Sequence, residues 1–134
     1  MKAVLLLSSC LLVAACATGY NPRFYYSNIE VANLSGAEIQ NVEVQVGERN
    51  LRCDSVAKNA LCQERFGKRP YPQQEGTRLS WQDGAGNSQT QQLNPSIPAT
   101  MSPAHSLRVM LDIGEDGSVK AYFREDNLWP GGGR

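Results

Sequence analysis

The chain is 134 residues long, enough for one domain. Thirteen Lys and Arg balance thirteen Asp and Glu, and there is a single histidine. Neutrality excludes general nucleic-acid binding, which depends on a strong positive field. One histidine without a dense acidic cluster leaves most metallo-hydrolase and triad chemistries without their parts.

The first residues read MKAVLLLSSCLLVAAC. Lys2 supplies a short positive start, and residues 3–15 form an apolar run broken only by Ser8, Ser9 and Cys10. That is the length of a signal-peptide core and too short to span a bilayer as a helix. Val13-Ala14-Ala15 then runs directly into Cys16. Small residues ahead of a cysteine at the end of such a run resemble the lipobox of bacterial lipoproteins. The resemblance implies that residues 1–15 are a signal peptide cut just before Cys16. It also implies a diacylglyceryl thioether on the Cys16 sulfur and acylation of the new amino terminus. One acyl chain binds a membrane only marginally, at about 0.8 kcal/mol per buried CH₂, whereas two or more hold firmly. Ala17 and Thr18 follow the cysteine. The absence of an aspartate there favours outer-membrane delivery, with the domain facing the periplasm. No later apolar run approaches the length of a membrane-spanning helix.

Residues 16–27 read as a lipidated tether leading into the fold. Phe24 and Tyr26 are expected to point inward from a first strand. Ile29 and Val31 then alternate with polar neighbours, which is strand periodicity. Ser35-Gly36 marks a turn. Val42, Val44 and Val46 form the cleanest strand of the first half, and Ile39 lies out of phase with them, which predicts a bulge or register change near Gln40-Asn41. Residues 47–50 turn the chain, and a further strand begins at Leu51.

Residues 54–64 are the one helix-like piece, a short helix or turn with Val56, Ala60 and Leu61 on one face. Residues 65–76 carry Gly67, Pro70, Pro72 and Gly76 and read as a loop. Leu79 and Trp81 lie on a strand, residues 83–87 are a hairpin turn, and residues 88–93 form a polar partner strand. A proline-rich connection spans residues 94–105. Leu107, Val109, Leu111 and Ile113 give the strongest alternation in the chain, paired through the turn at 114–117 with Val119, Ala121 and Phe123. That is a hairpin with one buried face, leaving Met110 on the opposite, open side.

The expected fold class is therefore all-β: an antiparallel β-sandwich, Ig-like in outline, of about seven strands over residues 28–124, with a small barrel as the alternative. Residues 125–134 are expected to be a flexible tail.

With Cys10 removed and Cys16 lipidated, Cys53 and Cys62 remain in a compartment where disulfides persist, and a bond between them is expected. The rival is a thiol metal site adding His105, but the spacing matches no standard zinc pattern and a fourth ligand is lacking. No nucleophile elbow, P-loop or metalloprotease motif is present, so the sequence calls for no catalytic residues, metal or cofactor. Two features suit binding. Arg65, Lys68 and Arg69 gather with Phe66 and Tyr71, a basic-aromatic group suited to anionic glycan, lipid phosphate or an acidic protein patch. Gln82, Asn87, Gln89, Gln91 and Gln92 make an amide-rich surface. The whole resembles the small single-domain envelope lipoproteins of Gram-negative bacteria. The expectation is a non-enzymatic assembly or accessory factor that acts through protein contact, with binding of wall or surface glycan as the alternative.

Overall fold

The computed structural model describes residues 23–126. Eight strands carry the chain: β1 (Tyr25–Asn33), β2 (Ile39–Val46), β3 (Arg49–Val56), β4 (Leu61–Pro70), β5 (Thr77–Gln82), β6 (Ser88–Leu93), β7 (Ser106–Ile113) and β8 (Val119–Asp126). They form two four-stranded sheets, in the orders β4-β1-β7-β8 and β3-β2-β5-β6. Every neighbouring pair is antiparallel except β1 and β7, which run parallel. The sheets share no strand, so the fold is a sandwich and not a closed barrel. The leader and Cys16 lie outside the described residues. The strands take in Tyr25 to Ser27 and Glu125 to Asp126, so the sheet reaches further at both ends than the pattern of apolar residues indicates.

Alternation dictates the core. Val42, Val44 and Val46 of β2, Leu79 and Trp81 of β5, and Leu107, Val109, Leu111 and Ile113 of β7 are all buried, facing Ile29 and Val31 of β1 and Phe123 of β8. Phe24 and Tyr26 point inward as expected. The out-of-phase Ile39 is buried too, because an irregularity between Gln40 and Glu43 absorbs the extra residue. Asn41 takes φ = 51° there, a left-handed conformation that asparagine tolerates better than most residues. Its side-chain amide donates to Gln82 Oε1 at 2.8 Å, which ties the bulge to the next strand.

Three expectations need correction. The helix-or-turn at 54–64 is strand, turn and strand: β3 runs on to Val56, a turn centred on Lys58 and Asn59 follows, and β4 starts at Leu61. Local helix propensity loses because Val56 pairs with Ile39 and is buried. Asn33, wholly buried, donates its amide to the carbonyls of Ala37, Val56 and Ala57 at 2.7, 2.9 and 3.2 Å, fixing this turn against the one at Ser35.

The second correction concerns residues 65–70, which continue β4 and are not loop. Gly67 and Pro70 are tolerated because β4 is an edge strand, where a missing side chain or N–H costs little. The third concerns β7, which is covered on both faces. Met110 points away from the core yet is only 5% exposed. It lies between Glu30 of β1 and Tyr122 of β8 in register, and an inner strand gains cover from both flanks.

Candidate partner-binding surfaces

The described chain enters and leaves at one end of the first sheet. Tyr25 pairs with Pro70 and Tyr26 with Arg69, while Asp126 pairs with Ser106 next to the start of β7. The first described strand therefore begins beside the end of β4.

The basic-aromatic group does not make one surface. Alternation along β4 sends its members to opposite faces. Arg65 lies on the outer face and reaches Asp126 Oδ2 at 3.4 Å, and the Asp126 carboxylate also accepts from Ser27 Oγ at 3.0 Å. Phe66 and Tyr71 turn inward. Tyr26 stacks edge to face on both, at 5.0 and 5.5 Å, and Tyr71 does the same on Phe123 at 5.1 Å. Burial pushes the phenol of Tyr71 above its usual range, and that of Tyr26 likewise, although Arg49 and Arg69 pull the latter back in part. Tyr26 and Tyr71 belong to the core and Phe66 packs half-buried against it, so Phe66 and Tyr71 form no exposed platform with Arg65, Lys68 and Arg69. Lys68 and Arg69 stay exposed.

Arg69 has a neighbour that sequence spacing does not reveal. Together with Tyr26, Arg49, Pro72, Glu48 and Glu75 it lines an open cleft of about 420 Å³ at the end where β1 begins. Arg49 is held by Glu64 at 2.7 Å, with its guanidinium 4.2 Å from the centre of the Phe66 ring. Gly47 borders the cleft with φ = 58°, and a Cβ there would meet Pro72 Cγ at 2.8 Å, so the β2–β3 turn admits only glycine in this form. The cleft balances two guanidinium groups against two carboxylates.

Cys53 and Cys62 are bonded to each other, which removes them as thiol ligands. His105 is exposed, and among the described residues no group of three or more His, Cys, Asp or Glu is placed to hold a metal ion. The amide-rich surface is partly spent on the fold itself. Gln89 donates to Asp83 at 3.2 Å and Gln91 donates to the Gly117 carbonyl at 3.0 Å. Asp83 accepts backbone N–H groups from Ala85 and Asn87 at 3.0 and 2.9 Å, and these bonds, with Asn87 foremost, hold its carboxyl below the usual range.

The outer face of the β4-β1-β7-β8 sheet carries a buried ion pair, Arg108 to Glu30 at 2.5 Å. Beyond it, Tyr122 donates to Asp112 at 3.1 Å, and Lys120 and Arg124 lie 5.1 and 5.8 Å from the Tyr122 ring centre.

Four strands end the sheets: β4 and β8 in one, β3 and β6 in the other. On one side the Cys53–Cys62 bond ties β3 to β4. On the other side β6 and β8 have no covalent tie.

No protein-family model matches the chain, and no curated protein matches it. Among solved structures it is similar to an NMR structure of a protein from Eubacterium rectale, with a TM-score of 0.48 at 10% sequence identity. The match covers 81% of this chain and 95% of that one. Likeness of that degree assigns no residue and no activity to this chain.

Proposed function

We propose that this is a lipid-anchored envelope protein, held by Cys16 at the periplasmic face of the outer membrane, that works without catalysis as an assembly or accessory factor through contact with another protein. The observation that carries the reading is the unsealed side of the sandwich. There, among the described residues, β6 and β8 each end a sheet with one strand neighbour, and an unpaired strand edge offers a row of backbone donors and acceptors to a partner strand. The lipobox and the Cys53–Cys62 disulfide support the address. The test has two parts. Cys16→Ser is expected to leave an unprocessed precursor that takes up no labelled fatty acid, and normal processing of that variant sinks the anchor. Crosslinking in intact cells followed by purification of this protein is expected to return one defined partner in stoichiometric amount, and recovery of no partner sinks the contact.

A second reading has one observation in its favour. The cleft lined by Arg49 and Arg69 also holds Tyr26, Glu48 and Glu75, and this mix of donors and acceptors beside a phenol is a setting for the hydroxyl groups of an envelope glycan. On this reading the soluble domain is expected to sediment with isolated wall polymer and Arg69→Gln to abolish it, and a domain that stays in solution sinks the reading.

A further inference from the structure

We propose that the end of the sandwich where β1 begins lies against a phospholipid surface bearing anionic headgroups, with Arg23, Lys68 and Arg69 toward the phosphates and the acidic opposite end turned away. The inference rests on the reading above that Cys16 carries lipid. It adds the orientation of the domain and the groups that set it.

The observation is a separation of charge along the strands. Tyr26 near the start of β1 pairs with Arg69 near the end of β4 and with Leu107 near the start of β7. Its hydroxyl donates to the Val46 carbonyl at the end of β2, at 3.2 Å, so the two sheets share this end. Here Arg23, Lys68, Arg69, Arg78 and Arg124 are exposed, and none belongs to one of the four ion pairs. Against these five stand three carboxylates outside those pairs, Glu48, Glu75 and Glu125. At the other end the balance reverses. Lys58 and Lys120 stand there against Glu38, Asp54, Asp83, Asp112, Glu115 and Asp116. A chain that is neutral as a whole is not drawn to an anionic surface by its net charge. Its distribution of charge turns it instead, basic end first.

The anchor selects lipid as the anionic partner. Arg23 lies seven residues after Cys16, and seven residues extend no further than about 25 Å. A lipidated Cys16 therefore keeps the basic end close to the bilayer at high effective concentration, an advantage that an acidic protein or a wall polymer lacks. Lys and Arg near a membrane surface are attracted by anionic lipid. Screening confines that attraction to about 8 to 10 Å. Strands of six to ten residues put the acidic end roughly 20 Å or more away. The cations near the surface are attracted while the distant carboxylates are screened. The reverse orientation would press six carboxylates onto the headgroups.

The experiment reconstitutes the full lipid-bearing chain into vesicles of phosphatidylethanolamine, with and without an equal share of phosphatidylglycerol. A donor dye sits at exposed Gln74, just before β5, or at exposed Ala85, in the turn between β5 and β6, and the acceptor is on the headgroups. Energy transfer from Gln74 is expected to rise about twofold when phosphatidylglycerol is included and to fall back at high salt. Transfer from Ala85 is expected to stay low. Lys68→Gln with Arg69→Gln, both at exposed positions, is expected to remove about half of the rise or more while the melting temperature is unchanged. A Gln74 signal indifferent to phosphatidylglycerol and salt, an Ala85 signal that rises in its place, or a full rise in the glutamine variant overturns the orientation and leaves the anchor standing. A chain that carries no lipid and stays in solution overturns both.

Discussion

Cys53 and Cys62 join the edge strand of one sheet to the edge strand of the other. The bond therefore locks the sandwich on the side where β3 passes into β4 and leaves the β6–β8 side to noncovalent packing. The loop it closes is ten residues long, for which loop entropy gives about 2.7 kcal/mol. Reduction is expected to add two hydrogens to the intact mass and to lower the melting temperature by roughly 10 to 20 °C. Calorimetry with and without reductant checks this. Free thiols in periplasmic material would contradict it.

Met110 and Leu111 test whether β7 is covered on both sides. Leu111 is fully buried in the core and Met110 is buried on the outer face. Leu111→Ala is expected to cost about 3 to 4 kcal/mol and Met110→Ala about 2 kcal/mol. Urea melts of both variants decide it. A negligible loss for Met110→Ala would restore an open outer face.

The Glu30–Arg108 pair is the most buried of the ion pairs, with side chains 8% and 23% exposed. Arg108→Met strands a carboxylate in a covered site and should cost about 3 kcal/mol. Adding Glu30→Leu is expected to recover most of that loss, since two apolar groups need no hydration. A double-mutant cycle measures the coupling.

The two exposed cations of β4 and the paired one should part company. Lys68→Gln with Arg69→Gln is expected to change stability by less than about 0.5 kcal/mol. Arg65→Gln removes a guanidinium from a carboxylate that is only 7% exposed, and should cost about 1 kcal/mol. Thermal melts at low and high salt separate the two effects, because salt screens exposed charges most.

The β5–β6 turn should loosen in acid. The folded pKa of Asp83 lies below its unfolded value, so the support it lends is full above the ordinary carboxylate range. That support is lost as pH falls through the lowered folded value. The protection of the Ala85 and Asn87 amides, measured by NMR exchange relative to the free-amide rate at each pH, is expected to fall over that window. Asp83→Ala should show the low protection at every pH.

Period-two alternation determined by itself most of what builds the sandwich. Each of Val42, Val44, Val46, Leu107, Val109, Leu111 and Ile113 is assigned a face by its neighbours in the chain, and burial of that face is the main drive to fold. The phase break at Ile39 likewise announces the bulge at Asn41, and cysteine number, with the compartment that the lipobox resemblance implies, announces the disulfide. What alternation cannot carry is which strands meet. The parallel contact of β1 with β7 and the cover over Met110 come from strands far apart in sequence. The cleft shared by Tyr26, Arg49 and Arg69 has the same origin. Residues 54–64 and 65–70 misled for a related reason. Glycine, proline and weak helical phasing are local signals, and they yielded to pairing with β1 and β2 and to the amide of Asn33. The same holds for β6: its neutral composition is plain in the sequence, but only the order of strands in the sheet makes that neutral strand an edge.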